Sequence, residues 1–279
     1  METAIRAARA TSLGTREAGY SAVRDCLRRQ AAARPRGRVA IFLGLSPLHP
    51  DARPAYDDAV GKLSAATQLA GLSDDWTVVH AVPLGSDDGE LDHVVIGPGG
   101  IFVISTRNWR GRKIRAGGNV LTIDGHKTDE IRSLRYAERR ASDLLRQALG
   151  APVAVSPVIV VADSASLALD AKSPTLPVLT LDRIPRWFTT RQRVLSETAV
   201  ARISAVAVDE STWCAMGGPM SDGVRCAQRF DRLRREVDAA GVRAHRLTLA
   251  SMGATAIAIG SLLAVMLPGF IGAVTAAVP

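Results

Sequence analysis

One stretch constrains the fold of this chain more than any other: ELDHVVIGPGGIFVISTRNWRG, residues 90–111. Residues Asp92–Ile96 and Ile101–Thr106 are rich in β-branched and aromatic residues, and Gly97-Pro98-Gly99-Gly100 separates them. Two such runs joined by a short glycine-containing loop predict a β-hairpin. Pairing Ile96 with Ile101 sets Asp92 opposite Ser105 and Glu90 opposite Arg107. Alternate residues of a strand share a face, so these four polar side chains fall on one side. Directly opposed β-carbons lie roughly 5 Å apart. His93, Val95, Phe102 and Ile104 point to the other, largely apolar face.

Around the hairpin the pattern describes one α/β domain. Residues 12–35 and 56–72 read as helices, and Trp76–Val82 as a strand. Val120–Ile123, followed by Asp124-Gly125, predicts a further short strand and turn. In 129–149, Ile131, Leu134, Ala137, Ala141, Leu144, Leu145 and Ala148 recur at helical spacing, and Gly150 supplies the stop. Val153–Val161 is nearly all apolar and reads as a strand buried on both faces. Leu176–Leu181 is one more strand, and Ser196 caps a helix through Val208. The order helix, three strands, helix, strand, strand fits a single layered α/β unit. The divisions that follow are a basic helical extension at 1–55, the α/β domain at 56–215, a basic helix at 216–246 and an apolar tail at 247–279.

Charge is unevenly spread over the 279 residues, whose formal net charge is +8. Residues 1–38 hold nine arginines against Glu2, Glu17 and Asp25. Such a surplus suits an anionic partner, nucleic acid or lipid headgroups, and equally a solvated helix face. From Leu247 to Pro279 no residue is charged. The run LTLASMGATAIAIGSLLAVML has the ~20-residue length of a transmembrane helix. Arg225, Arg229, Arg232, Arg234, Arg235, Arg243 and Arg246 precede it. The predicted arrangement is a single-pass anchor in the cytoplasmic membrane, with the bulk of the chain in the cytoplasm and the basic helix against lipid. Ala256 and Gly260 are spaced for close helix approach.

Several chemistries find no support. Cys26, Cys214 and Cys226 are odd in number and lack CxxC spacing, which argues against a disulfide framework or a zinc site. The five histidines show no HxxxH spacing, and no Ser-His-Asp or Cys-His arrangement can be argued. GPGG is a turn that opens no helix, so it is not a phosphate loop.

The hairpin LDHVVIGPGGIFVI with the following NWRG, the helix 129–149, the strand PVAVSPVIVV and LDRIPRWF resemble the nuclease-related domain family, NERD. The resemblance covers roughly residues 56–215. It implies a restriction-endonuclease-like PD-(D/E)xK fold, a mixed sheet flanked by helices, in a metal-dependent phosphodiesterase class. Asp92 matches the family's hairpin aspartate, the expected ligand of Mg²⁺ or Mn²⁺. Where the family places an acidic residue or Gln, this chain has Ser105; where it places Lys, this chain has Arg107; and Gly61 is followed by Lys62 rather than Glu.

Those replacements oppose cleavage. Hydrolysis in this class needs a hard cation held by carboxylates. Ser105 offers a neutral hydroxyl, Lys62 would repel the cation, and Arg107 cannot serve as a base, although it can clamp a phosphate. Three readings therefore stand. A degenerate pseudoenzyme would retain binding of DNA or RNA, with Arg107, Trp109, Arg110, Arg112 and Lys113 touching phosphates and bases. An active nuclease would hold its metal on Asp92 and Glu90. A scaffold or protein-interaction module would use no nucleic acid, with Glu90 and Arg107 a simple cross-strand ion pair.

Overall fold

In a computed structural model, residues 12–33, 36–85, 89–214 and 223–276 are described, with side chains of the last helix described to Met252 and at Thr255. The chain divides into two compact units, one formed by 1–31 with 50–229 and the other by 32–49 with 230–279.

The first unit is built on a seven-stranded mixed sheet. Strands β1 (Thr77–Pro83), β2 (Glu90–Gly97) and β3 (Gly100–Gly118) run antiparallel in sequence order. β3 is long enough to serve two partners in turn. Its first part pairs with β2, and its last part pairs with β4 (Val120–Ile123), which pairs with β5 (His126–Thr128). Along its other edge β3 pairs in parallel with β6 (Val155–Pro174), and β6 in parallel with β7 (Val178–Thr180). Parallel pairing requires a crossover, and the helix Glu130–Leu149 supplies it.

Helices cover both faces. In chain order the helices among the described residues of both units are α1 (Tyr20–Gln30), α2 (Arg38–Phe42), α3 (Arg53–Leu69), α4 (Glu130–Leu149), α5 (Ile184–Thr189), α6 (Glu197–Ala207) and α7 (Gly223–Ala276). Ile131, Leu134, Ala141 and Leu145 of α4, with Ile203 and Ala207 of α6, pack on Val94, Ile96, Ile101, Val103 and Ile159. On the opposite face Ala65 and Leu69 of α3 and Ile184 and Phe188 of α5 pack on Val95, Phe102, Ile104, Val158 and Val160. The strand 155–161 thus faces core on both sides, as its apolar run predicts. Ser196 caps α6 by accepting a hydrogen bond from the Ala199 amide at 3.2 Å.

The hairpin register is the expected one from His93↔Ile104 to Gly97↔Gly100. Gly97 is required there because Trp76 lies directly on its α-carbon face, where a β-carbon would overlap the indole. Trp76, Phe102, Trp187 and Phe188 form an edge-to-face cluster behind this turn. The short helix α5, which carries two of these rings, has too few residues to show helical periodicity in the sequence.

The second unit joins α2 to α7. Arg36 pairs with Glu236 at 3.5 Å, and Gly44, at φ 68°, lies flat against the α7 backbone at Ala240 and Ala244.

The expected transmembrane helix requires correction. Among the described residues no helix is long and apolar enough to cross a membrane. The stretch from Leu247 is no separate element but the continuation of α7, a helix of 54 residues that begins at Gly223 and carries arginines as far as Arg246. The expected basic helix and apolar tail are therefore one element, and a shift in composition along a helix does not break its hydrogen-bond ladder. The expected approach through Ala256 and Gly260 concerns side chains outside the described residues, as do the arginines among residues 1–11.

Because Phe188 is fully buried at the centre of the aromatic cluster, Phe188→Ala is expected to destabilise the first unit by about 3–5 kcal/mol, read as a lower urea midpoint.

Candidate functional site

Asp92 lies where the β1–β2 ladder is interrupted. Pairing is regular at His80↔His93 and resumes at Val82↔Leu91, while Ala81 between them has φ 52°. A left-handed alanine is uncommon and is held by its surroundings. The carboxylate of Asp92 is 4% exposed. One oxygen accepts from the Thr106 amide at 2.6 Å, and the other accepts from Lys62 Nζ at 2.9 Å.

Lys62 comes from α3, whose Gly61 brings the helix close to the sheet. A β-carbon at Gly61 would stand 3.1 Å from Asn108 Cβ and 3.2 Å from Ala162 Cβ. From this position Lys62 reaches inward and bridges Asp92 and Asp58, the latter also at 2.9 Å. Burial alone would lower the Lys62 pKa; attraction from Asp92 and Asp58 outweighs it, so the ammonium is held above its ordinary value. For Asp92, burial pushes the carboxyl up against Lys62, Arg107 and the Thr106 amide. The net direction is upward, although two donors, the Lys62 ammonium and the Thr106 amide, converge on this carboxylate and the Arg107 guanidinium stands 3.9 Å away.

The remaining expected residues are placed differently from the simple ladder. Glu90 does not meet Arg107. Its Oε2 accepts from the Ser21 hydroxyl at 2.7 Å and pairs with Arg16 at 3.7 Å, both contributed by the N-terminal segment. Burial holds the Glu90 carboxyl above its ordinary value, against the pull of Ser21, Lys62 and Arg16. Arg107 instead pairs with Glu130 at 2.8 Å and stands 3.9 Å from Asp92. The reason is topological: the β2–β3 pairing ends at His93↔Ile104, whereas β3 continues beside β6, with Ser105 paired to Ile159 and Arg107 to Val161. α4 begins within reach of Arg107, and its first residue is Glu130.

The basic segment beyond Arg107 is largely neutralised. Arg110 pairs with Asp163 at 3.0 Å, Arg112 with Asp124 at 2.7 Å and Arg115 with Asp170 at 3.1 Å. Lys113 is exposed, and its backbone amide donates to Asp124. Trp109 packs partly buried against the core on the α4 side.

These residues do not fit a divalent cation. Asp92 and Asp58 converge, but an ammonium lies between them; Glu130 is held by Arg107, and Glu90 by Ser21 and Arg16. A dication would have to displace Lys62 from a site where its charge is already balanced. The expectation that Asp92 and Glu90 together ligate Mg²⁺ or Mn²⁺ meets this obstacle, since Lys62 holds the first and Ser21 and Arg16 the second.

Sequence reasoning missed one further pair beside the site. His80 and His93 share an Nδ1–Nδ1 hydrogen bond of 2.8 Å across β1 and β2. This contact needs one ring as donor and the other as acceptor, so at least one of the two rings is neutral. Burial lowers both pKa values, and for His93 the charges of His80 and Lys62 lower it further, to well below the ordinary range. The signal was their cross-strand placement, which becomes visible only once β1 is registered on β2.

The family model of the nuclease-related domain matches residues 58–162. No curated protein and no solved structure matches the chain. The matched stretch carries most of α3, β1 to β5, α4 and the first part of β6, together with Lys62, Asp92 and Arg107. It supports a nuclease-related domain in this part of the chain.

Lys62→Met leaves Asp92 buried without its cation and is expected to cost about 3–5 kcal/mol at neutral pH; adding Asp92→Asn should recover part of the loss in urea unfolding. The two histidines give an acid dependence. Their folded pKa values lie below the unfolded value of about 6.5, so the native state binds fewer protons than the unfolded chain and stability rises with pH. Their contribution is present above pH ~6.5 and is lost as pH falls below it. The urea midpoint of His93→Leu should therefore change less between pH 7.5 and 5.5 than that of the wild type (~1 unit either side of 6.5).

Proposed function

We propose that this nuclease-related domain has lost phosphodiester cleavage and binds nucleic acid through its backbone phosphates. The observation that carries the first half is Lys62 Nζ at 2.9 Å from both Asp92 and Asp58, which puts a permanent protein cation where the metal of an active site would be needed. The replacement of a carboxylate by Ser105 and of a base by Arg107 points the same way. The parent fold that best accommodates this arrangement is the PD-(D/E)xK type, with helix α3 before the hairpin and α4 crossing over to the parallel strand β6. Retained binding is supported by the family match over 58–162 and by the basic balance of the chain.

The test is a cleavage assay on the full chain with single- and double-stranded DNA and RNA, with Mg²⁺ and with Mn²⁺, alongside Asp92→Ala. No cleavage above background is expected for either protein. Metal-dependent cleavage present in the wild type and absent in Asp92→Ala would overturn the loss of activity. Binding of the same nucleic acids is expected at low salt and should fall steeply as salt rises; no binding at low salt would overturn the second half in favour of a scaffold.

A further inference from the structure

We infer that a basic hollow on α1 is the phosphate-contacting surface of this protein, in place of the arginine-rich strand β3. The inference rests on the reading that the domain binds nucleic acid, and it names where.

α1 is two-sided. Tyr20, Ala22, Val23, Cys26 and Leu27 are buried, while Ser21, Arg24 and Arg28 point outward. Together with Cys226 and Arg229 at the start of α7 these outward residues line a cavity of about 610 Å³, within the size range of pockets that receive ligands. Three guanidinium groups, Arg24, Arg28 and Arg229, face it with Asp25 as the lining carboxylate. Asp25 is already engaged by Arg28 and, at 2.7 Å, by Arg29. Among the described residues, neither Arg24 nor Arg229 lies within ion-pair distance of a carboxylate. Arg24 stacks over the Tyr20 ring at 5.5 Å, an arrangement that steadies the guanidinium plane and leaves its N–H edge for a bidentate acceptor.

The contrast with β3 decides between the two surfaces. Arg107, Arg110, Arg112 and Arg115 each have a carboxylate at 3.1 Å or less. A phosphate arriving there would have to break an existing pair; one arriving at Arg24 and Arg229 would not. The hollow also borders the candidate site, because Ser21, which lines it, donates to Glu90, two residues from Asp92 on β2. A strand whose phosphates occupy the hollow would therefore run along the edge of the nuclease-related site.

Fluorescence anisotropy of a labelled oligonucleotide, titrated with the full chain over a range of salt, tests this directly. Arg24→Ala/Arg229→Ala should weaken binding about tenfold or more and reduce the salt slope by roughly two, one for each guanidinium removed from a phosphate. Arg110→Ala/Arg112→Ala, on β3, should leave binding within about twofold. Thermal unfolding of both variants confirms folding, and Arg24→Lys/Arg229→Lys should regain part of the affinity while keeping the charge. Oligonucleotide binding that is intact in Arg24→Ala/Arg229→Ala would overturn this inference and leave the proposed function standing. No oligonucleotide binding by the wild type would overturn both. Capture of phosphatidylglycerol vesicles that depends on Arg24 and Arg229, with no effect of these residues on the oligonucleotide, would assign the hollow to a lipid surface and overturn the inference.

Discussion

The contact between Lys62 and Asp92 governs the rest of the site. A carboxylate this deeply buried is costly unless it is paired, and the partner here comes from α3 rather than from the hairpin. Asp58, one helical turn before Lys62, draws the same ammonium and keeps it extended inward. The Thr106 amide takes the other oxygen of Asp92. Charge that in an active nuclease would be balanced by a metal and substrate is here balanced within the protein. The proposed loss of cleavage rests on that closed electrostatic circuit more than on any single replaced residue.

Neighbouring charges follow the same rule. Arg107 is held by Glu130, and Glu90 is drawn to Ser21 and Arg16. Along β3 each arginine from 107 to 115 has an acidic partner on an adjacent element. A run of arginines in a sequence therefore overstates the positive potential of the strand it forms. On the outer side of α1, Arg24 and Arg229 line the hollow with Asp25 as its carboxylate, and that carboxylate is engaged by Arg28 and Arg29.

Much of the fold was legible because its signals are local. The hairpin register follows from one glycine-rich turn, α4 from its apolar spacing and Gly150, and the first part of β6 from a nearly all apolar run, whereas its continuation to Pro174 carries no such signal. The site was legible in composition and less so in geometry. Asp92, Ser105, Arg107 and Lys62 could be singled out, yet the partner of Glu90 is about 70 residues away in sequence and the partner of Arg107 sits at the start of α4. Extending an ideal ladder past Ile104 failed because the β2–β3 pairing stops at His93↔Ile104, while β3 stays paired with β6 along its other edge. The His80–His93 contact was hidden for the same reason. The apolar tail misled in another way: hydropathy marks a change in composition, and α7 runs through that change as one helix.

Gly61 gives this arrangement an unexpected lever. The missing side chain sets how closely α3 approaches β3 and β6, with Asn108 and Ala162 on the far side of the gap. Lys62 is the next residue, so the helix-to-sheet spacing also sets the length of its link to Asp92. The electrostatic state of the site is thus tuned by a steric dimension. A β-carbon at this glycine would press on Asn108 and Ala162, so bulk there acts on the spacing beneath the Lys62–Asp92 contact without changing any charged residue.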